Sequence, residues 1–442
     1  MSEYWWDAIG TYTSSSGYLA FSGQYDGGGF TISGLYTYSG LSSTYSYQGL
    51  FGYVEGRSSS IRASIKNIGI IDSNIQGYRY VGGVVGYAYY STVTNCYNTG
   101  SVTGSYYVSG VVGYADDYST ITNCYNTGSV TGSDYYVGGV VGWGVSSIIT
   151  NCYNTGTVTG GNYVGGYVGG VVGYVSSSAV TNCYNTGNIT ESDERVGGVV
   201  GWASSSTVTN CYNTGAVTGG NSVGGVVGYS SSTIINCYNT GSVTGDQYVG
   251  GVVGRDYNSA STITNCYYGG NCTLLYGIGY YSSNFGASKD SNLIANAKSL
   301  SWYQDSSKWD SEYPWDFEEV WSLVPSANDG YPILQGFSVN ISYNSNYGEN
   351  EVITEQVPSG QEIVIAGYDL FTRVGYEISH WNTKPDGTGL NFYAGDTYSE
   401  GAGLTLYAIW EAGIYAVTLD ANGGSGGTQK IWVKYGYGFY AN

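Results

Sequence analysis

Histidine and methionine are almost missing from this chain, with one of each among 442 residues. A single histidine disfavours Ser/His/Asp triads and His-based metal centres. Proline is also scarce, at 5, so the 72 glycines fit neither a collagen repeat nor a Pro-rich linker. Charged residues make up 10%, far below the roughly 25% of ordinary domains. What charge there is has one sign: 13 Lys and Arg against 32 Asp and Glu give a net −19. Such a chain repels a phosphate backbone and an anionic lipid surface, which argues against nucleic acid as a partner. No run of 18 apolar residues exists, and the longest candidate, 164–175, is nearly half glycine. No membrane insertion within this chain is therefore expected. The opening Met-Ser-Glu-Tyr-Trp-Trp has neither a basic n-region nor an apolar h-region. The chain is therefore expected to be either cytosolic or exported by a signal that lies outside it.

Glycine and the 51 tyrosines are what the chain has in excess, and they recur in register. The string V-G/S-G-V-V-G occurs at 81–86, 108–113, 137–142, 168–173, 196–201, 223–228 and 249–254. N-C-Y follows each time, at Asn95, Asn123, Asn151, Asn182, Asn210, Asn236 and Asn265, and six copies continue as N-C-Y-N-T-G. Successive cysteines lie 28, 28, 31, 28, 26 and 29 residues apart. A period near 28 with slack of a few residues is that of a solenoid coil with small insertions. Val and Thr favour extended backbone, while Gly, Asn and Ser clusters punctuate it, and no 3.6 period runs through the unit. Three short strands and three corners are predicted per turn of a parallel β-helix. Val93 and Cys96 are an odd number apart, so a bend at Asn95 is needed for both to face inward. Val93, Cys96 and Val102 are placed inside and Tyr97 outside, with the choice between Val84 and Val85 left open. Seven coils give a rod of roughly 34 Å.

The ends differ from the middle. Residues 1–80 read as divergent N-terminal coils, and 81–272 as seven regular coils. Residues 273–337 lose the period and gain Trp302, Trp309, Trp315 and Trp321. That segment is expected to close the C-terminal end, with a turn at 328–332. Beyond it, 339–343 and 404–410 alternate like strands, and Pro385-Asp-Gly-Thr-Gly389 reads as a turn. Residues 338–412 form a separate module, and 413–442 start a second, truncated copy.

The G-G-V-V-G plus N-C-Y-N-T-G unit resembles the GLUG repeat of large bacterial surface proteins. Tyr25-Asp-Gly-Gly-Gly-Phe-Thr-Ile-Ser-Gly-Leu35, Gly49-Leu-Phe-Gly52 and Asp329-Gly-Tyr-Pro332 are similar to such regions too. Gly375-Tyr376, Trp381-Asn-Thr-Lys-Pro-Asp-Gly387, Tyr393-Ala-Gly395 and Leu406-Tyr-Ala-Ile-Trp410 resemble a Listeria–Bacteroides (internalin B-type) repeat. That resemblance implies a small β-grasp-like module used in tandem as a stalk. Both resemblances imply an extracellular bacterial setting, and neither implies catalysis. The fold class expected is all-β: a parallel β-helix, a solenoid of about 28-residue coils, followed by a small β-grasp-like repeat module.

Candidate site residues fall in columns. Cys96, Cys124, Cys152, Cys183, Cys211, Cys237 and Cys266 occupy one repeat position. They are read as buried apolar fillers, with Cys266 and Cys272 the best candidates for a disulfide. No CxxC or nearby histidine points to metal. The seven Asn of N-C-Y are read as a structural corner ladder of side-chain amides, as are Asn98 and its equivalents. Tyr97, Tyr125, Tyr153, Tyr184, Tyr212, Tyr238 and Tyr267 are expected to form an outward aromatic ladder. Tyr87, Tyr114, Trp143, Tyr174, Trp202 and Tyr229 are expected to form a second. Such ladders could hold a carbohydrate or a protein, or simply tile the sheet by cross-strand stacking. The acids Asp116, Asp117, Asp134, Glu191, Asp193, Glu194, Asp246 and Asp256 mostly sit in variable loops. Glycoside cleavage needs paired carboxylates on rigid elements, so Glu191, Asp193 and Glu194 are read as solvated surface. His380, beside Trp381, is read as structural. The function expected is a structural and adhesive segment of a bacterial surface or secreted protein, with no enzyme activity and no cofactor. The alternative is a non-catalytic arm of a larger secreted peptidase or glycanase.

Overall fold

Like residues stack on like residues from coil to coil. In the computed structural model Val85–Tyr89 pairs in parallel with Phe51–Glu55 on one side and Val112–Asp116 on the other. The ladder continues through Val141–Val145, Val172–Ser176, Val200–Thr209, Val227–Ile235, Val253–Asp256 and Ile278–Tyr281. Its eight steps give a rise of roughly 38 Å at the spacing of hydrogen-bonded strands. The structure describes residues 5–13, 17–37, 46–161, 165–191, 194–257, 261–269, 271–272, 276–281, 301, 315–323, 328, 331–335, 337–358, 363–398, 404–420, 422–424 and 429–437. Two units divide the chain, 1–323 and 324–442.

Two further parallel sheets complete the coils of the first unit. One has seven strands, from Asn74–Gln76 to Val243–Thr244, and the other eight, from Ser46–Gln48 to Gln247–Gly250. A coil holds more strands than the three predicted. The coil after Gly110 runs Val112–Asp116, Thr120–Thr122, Tyr125–Asn126, Val130–Gly132 and Val137–Gly138. Of the two extra breaks one falls within the V-G/S-G-V-V-G string and the other at Asn123, whose φ of 53° is left-handed. Asparagine tolerates that conformation better than other residues with a Cβ. The interior of the first regular coil holds Val81, Val84, Val85, Ala88, Val93, Cys96 and Val102, all fully buried. Val84 and Val85 both face inward because the chain bends at Gly83–Val84.

The two halves of the repeat fit each other. A Cβ on Gly83 would collide with the Asn98 amide, and one on Gly110 with the Asn126 amide. The same holds for Gly139 with Asn154, Gly170 with Asn185, Gly198 with Asn213 and Gly225 with Asn239. The second glycine of V-G-G-V-V-G is thus the space into which the fourth residue of N-C-Y-N packs. In the last coil Tyr268 replaces the asparagine and lies against Gly251.

Trp315 and Trp321 correct one expectation. Instead of closing the end of the solenoid they lie along its side, against the tyrosine column. Trp315 Nε1 donates to Asn265 O (3.1 Å), and its ring lies 5.8 Å from Tyr238 and 5.7 Å from Tyr267. Trp302 and Trp309 fall outside the described residues. The turn at 328–332 is seen in the Tyr331 N–H donating to Asn328 O (2.9 Å), and Asp329 and Gly330 lie outside the described residues.

The second unit contains a five-stranded mixed sheet. Ser338–Asn344 and Leu404–Ala412 run parallel at its centre, and Val352–Pro358, Tyr376–Asn382 and Asn391–Phe392 add antiparallel. Ile341, Tyr343, Trp381, Leu406 and Ala408 are fully buried there. Trp381 Nε1 donates to Ala366 O (3.1 Å). Ile414–Leu419 and Gln429–Lys434 form a separate antiparallel hairpin.

Candidate functional site: columns of thiols, amides and rings

The cysteine column is interior. All eight cysteines are buried and none is in a disulfide, as the reading of buried fillers expected, and the candidate pair Cys266 and Cys272 is not bridged. Cys96 Sγ donates to Thr94 O (3.2 Å), and Cys124 repeats this with Thr122 O (3.3 Å). Burial pushes the Cys96, Cys124 and Cys152 thiols well above their ordinary pKa. A neutral buried thiol is neither a nucleophile nor a ready metal ligand. No group of three or more potential metal ligands occurs among the described residues.

Two amide ladders run side by side, with opposite sense. Along the outer one each Asn donates to the coil before: Asn95 to Asn67 (2.9 Å), Asn123 to Asn95 (3.1 Å), Asn151 to Asn123 (3.2 Å) and Asn182 to Asn151 (3.3 Å). Asn210, Asn236 and Asn265 continue it. It terminates on Asp26, which accepts from Asn67 Nδ2 (2.9 Å) and pairs with Lys66 (3.0 Å). The Asn67 amide, the Gly28 N–H and Lys66 hold the Asp26 carboxyl down to about 2. Along the inner ladder each Asn donates to the coil after, from Asn98 to Asn126 (2.8 Å) up to Asn213 to Asn239 (2.8 Å). The inner amides are fully buried and also donate to a backbone carbonyl two residues on, as Asn98 does to Gly100 (2.7 Å).

The first tyrosine ladder lies outside the coil but is mostly not at the surface. Its rings stack 4.7 to 5.1 Å apart, nearly parallel, from Tyr97 to Tyr238. Tyr97 and Tyr125 are part-exposed. Tyr153, Tyr184, Tyr212, Tyr238 and Tyr267 are buried, and Trp321 lies over Tyr212 (6.2 Å) and Tyr238 (5.8 Å). The expected open ligand platform on Tyr153, Tyr184, Tyr212 and Tyr238 is therefore corrected to a packed seam.

The second ladder is the half-exposed one, and a column not foreseen from the sequence lies against it. Tyr53, Tyr87 and Tyr114 stack along the coils at 4.9 Å, and Trp143, Tyr174 and Trp202 continue the row at 4.7 to 5.3 Å with planes tilted by 33° to 45°. Tyr80, Tyr107 and Tyr136 stack beside them at 4.9 and 5.1 Å, and Tyr136 lies 4.7 Å from Trp143. These three have left-handed φ of 57°, 56° and 60°. That conformation costs about 1–2 kcal/mol for a residue with a Cβ, and two ring stacks at about 0.5–1.5 kcal/mol each offset it. The signal was in the sequence: each V-G/S-G-V-V-G is preceded by Tyr80, Tyr107, Tyr136, Tyr167, Arg195, Ser222 or Tyr248. Arg195 sits 4.9 Å from Tyr167, 5.3 Å from Trp202 and 4.9 Å from Tyr229. Arg79 and Arg255 make similar ring contacts near the two ends. The indole Nε1 atoms of Trp143 and Trp202 are buried with no hydrogen-bond partner among the described residues, so the column offers solvent ring edges, tyrosine hydroxyls and guanidinium groups.

The carboxylates are scattered. Tyr87 OH donates to Asp116 Oδ2 (2.8 Å), and half-burial raises the Asp116 pKa. Glu194 pairs with Arg195 (2.9 Å). Glu191 is not solvated as expected: it is 2% exposed. It stands at the inward position that Gly104, Gly132, Gly160, Gly219 and Gly245 hold in other coils, and its carboxylate fills the space over Gly160. Asp193 lies outside the described residues. His380 Nδ1 shares a hydrogen bond with Ser379 Oγ (2.7 Å) and faces the Tyr393 ring (5.9 Å).

Comparison with known proteins bears on the solenoid. The GLUG motif matches residues 77–103, 104–131, 133–159, 161–190, 192–218 and 219–244. These are six successive coils, and Gln247–Gly250, Val253–Asp256, Thr262–Thr264 and Tyr267–Tyr268 add a seventh in the same register. Two proteins of Evansella cellulosilytica are similar to part of the chain. One, "Putative Gly-rich membrane protein", is 32% identical over 122 residues, 26% of this chain and 14% of that protein. The other, "Putative membrane protein", is 34% identical over 118 residues, 25% of this chain and 16% of that protein. The match spans under a fifth of either relative. No helix among the described residues is long and apolar enough to cross a membrane. A solved structure titled as a "putative immunoglobulin A1 protease" from Bacteroides ovatus aligns over 70% of this chain and 76% of its own, with 19% identity and a TM-score of 0.32.

Proposed function

We propose that the solenoid is the rigid, adhesive segment of a bacterial cell-surface or secreted protein, and that its half-exposed Tyr/Trp/Arg face engages a carbohydrate or a protein. The observation that carries this reading is the continuous row of close ring contacts along that face. One ring row persists from Tyr53 to Trp202, with left-handed tyrosines held beside it. Backbone held in costly conformations over several coils points to a surface kept for use. An edge-on row of phenols and indoles with interleaved guanidinium groups suits a polar polymer lying along the rod. The extended ladder places that face at a distance from any anchor. Residues 338–412 fit the same role as a Listeria–Bacteroides-type stalk module. The parallel pairing of its first and last long strands supports a β-grasp-like reading. This reading includes no catalytic step, no cofactor and no nucleic acid partner.

The test is binding of the full chain to a glycan array and to immobilised host-cell extracellular matrix. Exchange of Tyr114, Trp143 and Tyr174 for serine should lower binding at least tenfold while the circular dichroism spectrum stays that of β-structure. Undiminished binding would remove the face from the proposal.

A further inference from the structure

A second aromatic row stops abruptly, and a cavity opens beyond it. At the corner after Val85–Tyr89 and its equivalents in the next four coils a residue is left-handed: Tyr90 (46°), Tyr118 (57°, beside Asp117 at 32°), Ser146 (47°), Ser177 (51°) and Ser205 (49°). Two coils carry tyrosine there, and the next three carry serine. Tyr118 stacks on Tyr90 with ring centroids 6.1 Å apart and planes 8° apart. Its N–H donates to Ser146 O of the following coil (2.8 Å). One ring face of Tyr118 is therefore covered by Tyr90, and the next coil offers a serine where a third ring would stand. Tyr118 is 57% exposed.

Past that point lies an open trough of about 500 Å³, lined only by serine and threonine. Its hydroxyls divide into two sets. Ser178, Ser206 and Ser232 build the wall, each accepting from a backbone N–H of the preceding coil at 3.0 to 3.1 Å. Ser177, Ser205, Thr207, Ser231 and Thr233 line the opening, and their hydroxyls make no hydrogen bond among the described residues. At the far end stands Tyr257, 59% exposed, its N–H on Ser230 O (3.0 Å). From Tyr118 to Tyr257 is five coil steps, roughly 24 Å.

We propose that this serine trough, between the Tyr118 and Tyr257 rings, is a binding site for a neutral oligosaccharide. Hydroxyls both donate and accept, as sugar hydroxyls do. No charged side chain lines the trough, although the chain carries a net −19. An anionic ligand would find no cation along the hydroxyl lining, Arg255 lying over the Tyr257 ring at the far end (5.4 Å), and an apolar one would leave five hydroxyls without water or partner. The open face of Tyr118 supplies a platform on which a sugar ring stacks. Backbone ladders on both sides fix the trough, so little ordering is required on binding. The proposal narrows the carbohydrate arm of the proposed function and rests on it, at a trough that adjoins the Tyr/Trp/Arg face where Tyr257 stacks on Tyr229 (6.2 Å).

Isothermal titration of the full chain with cellotetraose, xylotetraose and chitotetraose tests it. At least one should bind. Ser177→Tyr with Ser205→Tyr restores at these corners the residue that Tyr90 and Tyr118 already place there, and should weaken binding at least tenfold with unchanged melting temperature. Should that pair disturb the fold, Ser205→Ala with Ser231→Ala removes hydroxyls without adding bulk and should weaken binding several-fold, as should Tyr118→Ser. Exchange of Tyr114, Trp143 and Tyr174 for serine is the comparison arm that separates loss at the Tyr/Trp face from loss at the trough. Failure of all three sugars to bind overturns the trough, as does equal affinity in the filled variant. Binding that survives filling and is lost on the Tyr/Trp face assigns carbohydrate to that face alone.

Discussion

Two tyrosine columns of the same solenoid share their spacing and differ in their fate. From Tyr97 to Tyr238 the rings stack 4.7 to 5.1 Å apart, and from Tyr53 to Trp202 the rings lie 4.7 to 5.3 Å apart. Both follow from one coil rise and one register. Yet Tyr212 is 4% exposed under Trp321, while Tyr174 stays half-exposed. The repeat decides that rings stack, whereas what covers them depends on chain far away in sequence. A column of aromatics is thus no evidence of a binding face until its covering is known.

The largest effect should separate these columns directly. Tyr212→Ala removes a buried ring between two others and should cost about 3–5 kcal/mol. Tyr174→Ala should cost about 1 kcal/mol, the worth of a half-exposed stack. Thermal melting of the two variants makes the comparison, and equal losses would mean that the covering by Trp321 contributes nothing. Next comes Gly139→Ala, whose Cβ would meet both the Asn154 amide and the Gly170 carbonyl. Overpacking of this kind should cost about 3 kcal/mol.

The amide ladders offer a finer contrast. Asn154→Ala breaks a buried chain and strips the Gly156 carbonyl of a donor, and should cost about 2 kcal/mol. Asn151→Ala, in the outer ladder with φ of 52°, should cost about 1 kcal/mol, mostly from the left-handed backbone. Asn151→Gly keeps that backbone and should recover most of the loss. The smallest effect is at Asp26. Its pKa falls from 3.8 to about 2 on folding. Its contribution is therefore full above pH 4 and lost as pH falls through about 2. Melting temperatures of Asp26→Asn and the natural chain should converge across that window, and a constant difference would show that the carboxylate charge is irrelevant.

Much of the fold was legible because the repeat carries its own constraints. Val93, Cys96 and Val102 were placed inside by parity, and they are fully buried. The pairing of Gly with Asn across the repeat was not read, since it joins residues about 15 apart whose contact exists only once the coil closes. The left-handed Tyr80 column was visible as a tyrosine before five of the seven V-G/S-G-V-V-G strings. It was missed because a bulky residue is not expected at positive φ. Glu191 was misread from its loop neighbours, when its position in the repeat is that of an inward glycine. The trough arises from a substitution, serine where two coils have tyrosine. Its meaning depends on knowing that these residues share one corner.

The sequence by itself determined the coil: its period, its in-register stacking and its interior, because each follows from local spacing repeated many times. Only the tertiary structure decided which outward column is buried, where Trp315 and Trp321 lie and where a cavity opens. Those outcomes depend on contacts between segments that no period relates, and their geometry exists only after the coils have stacked.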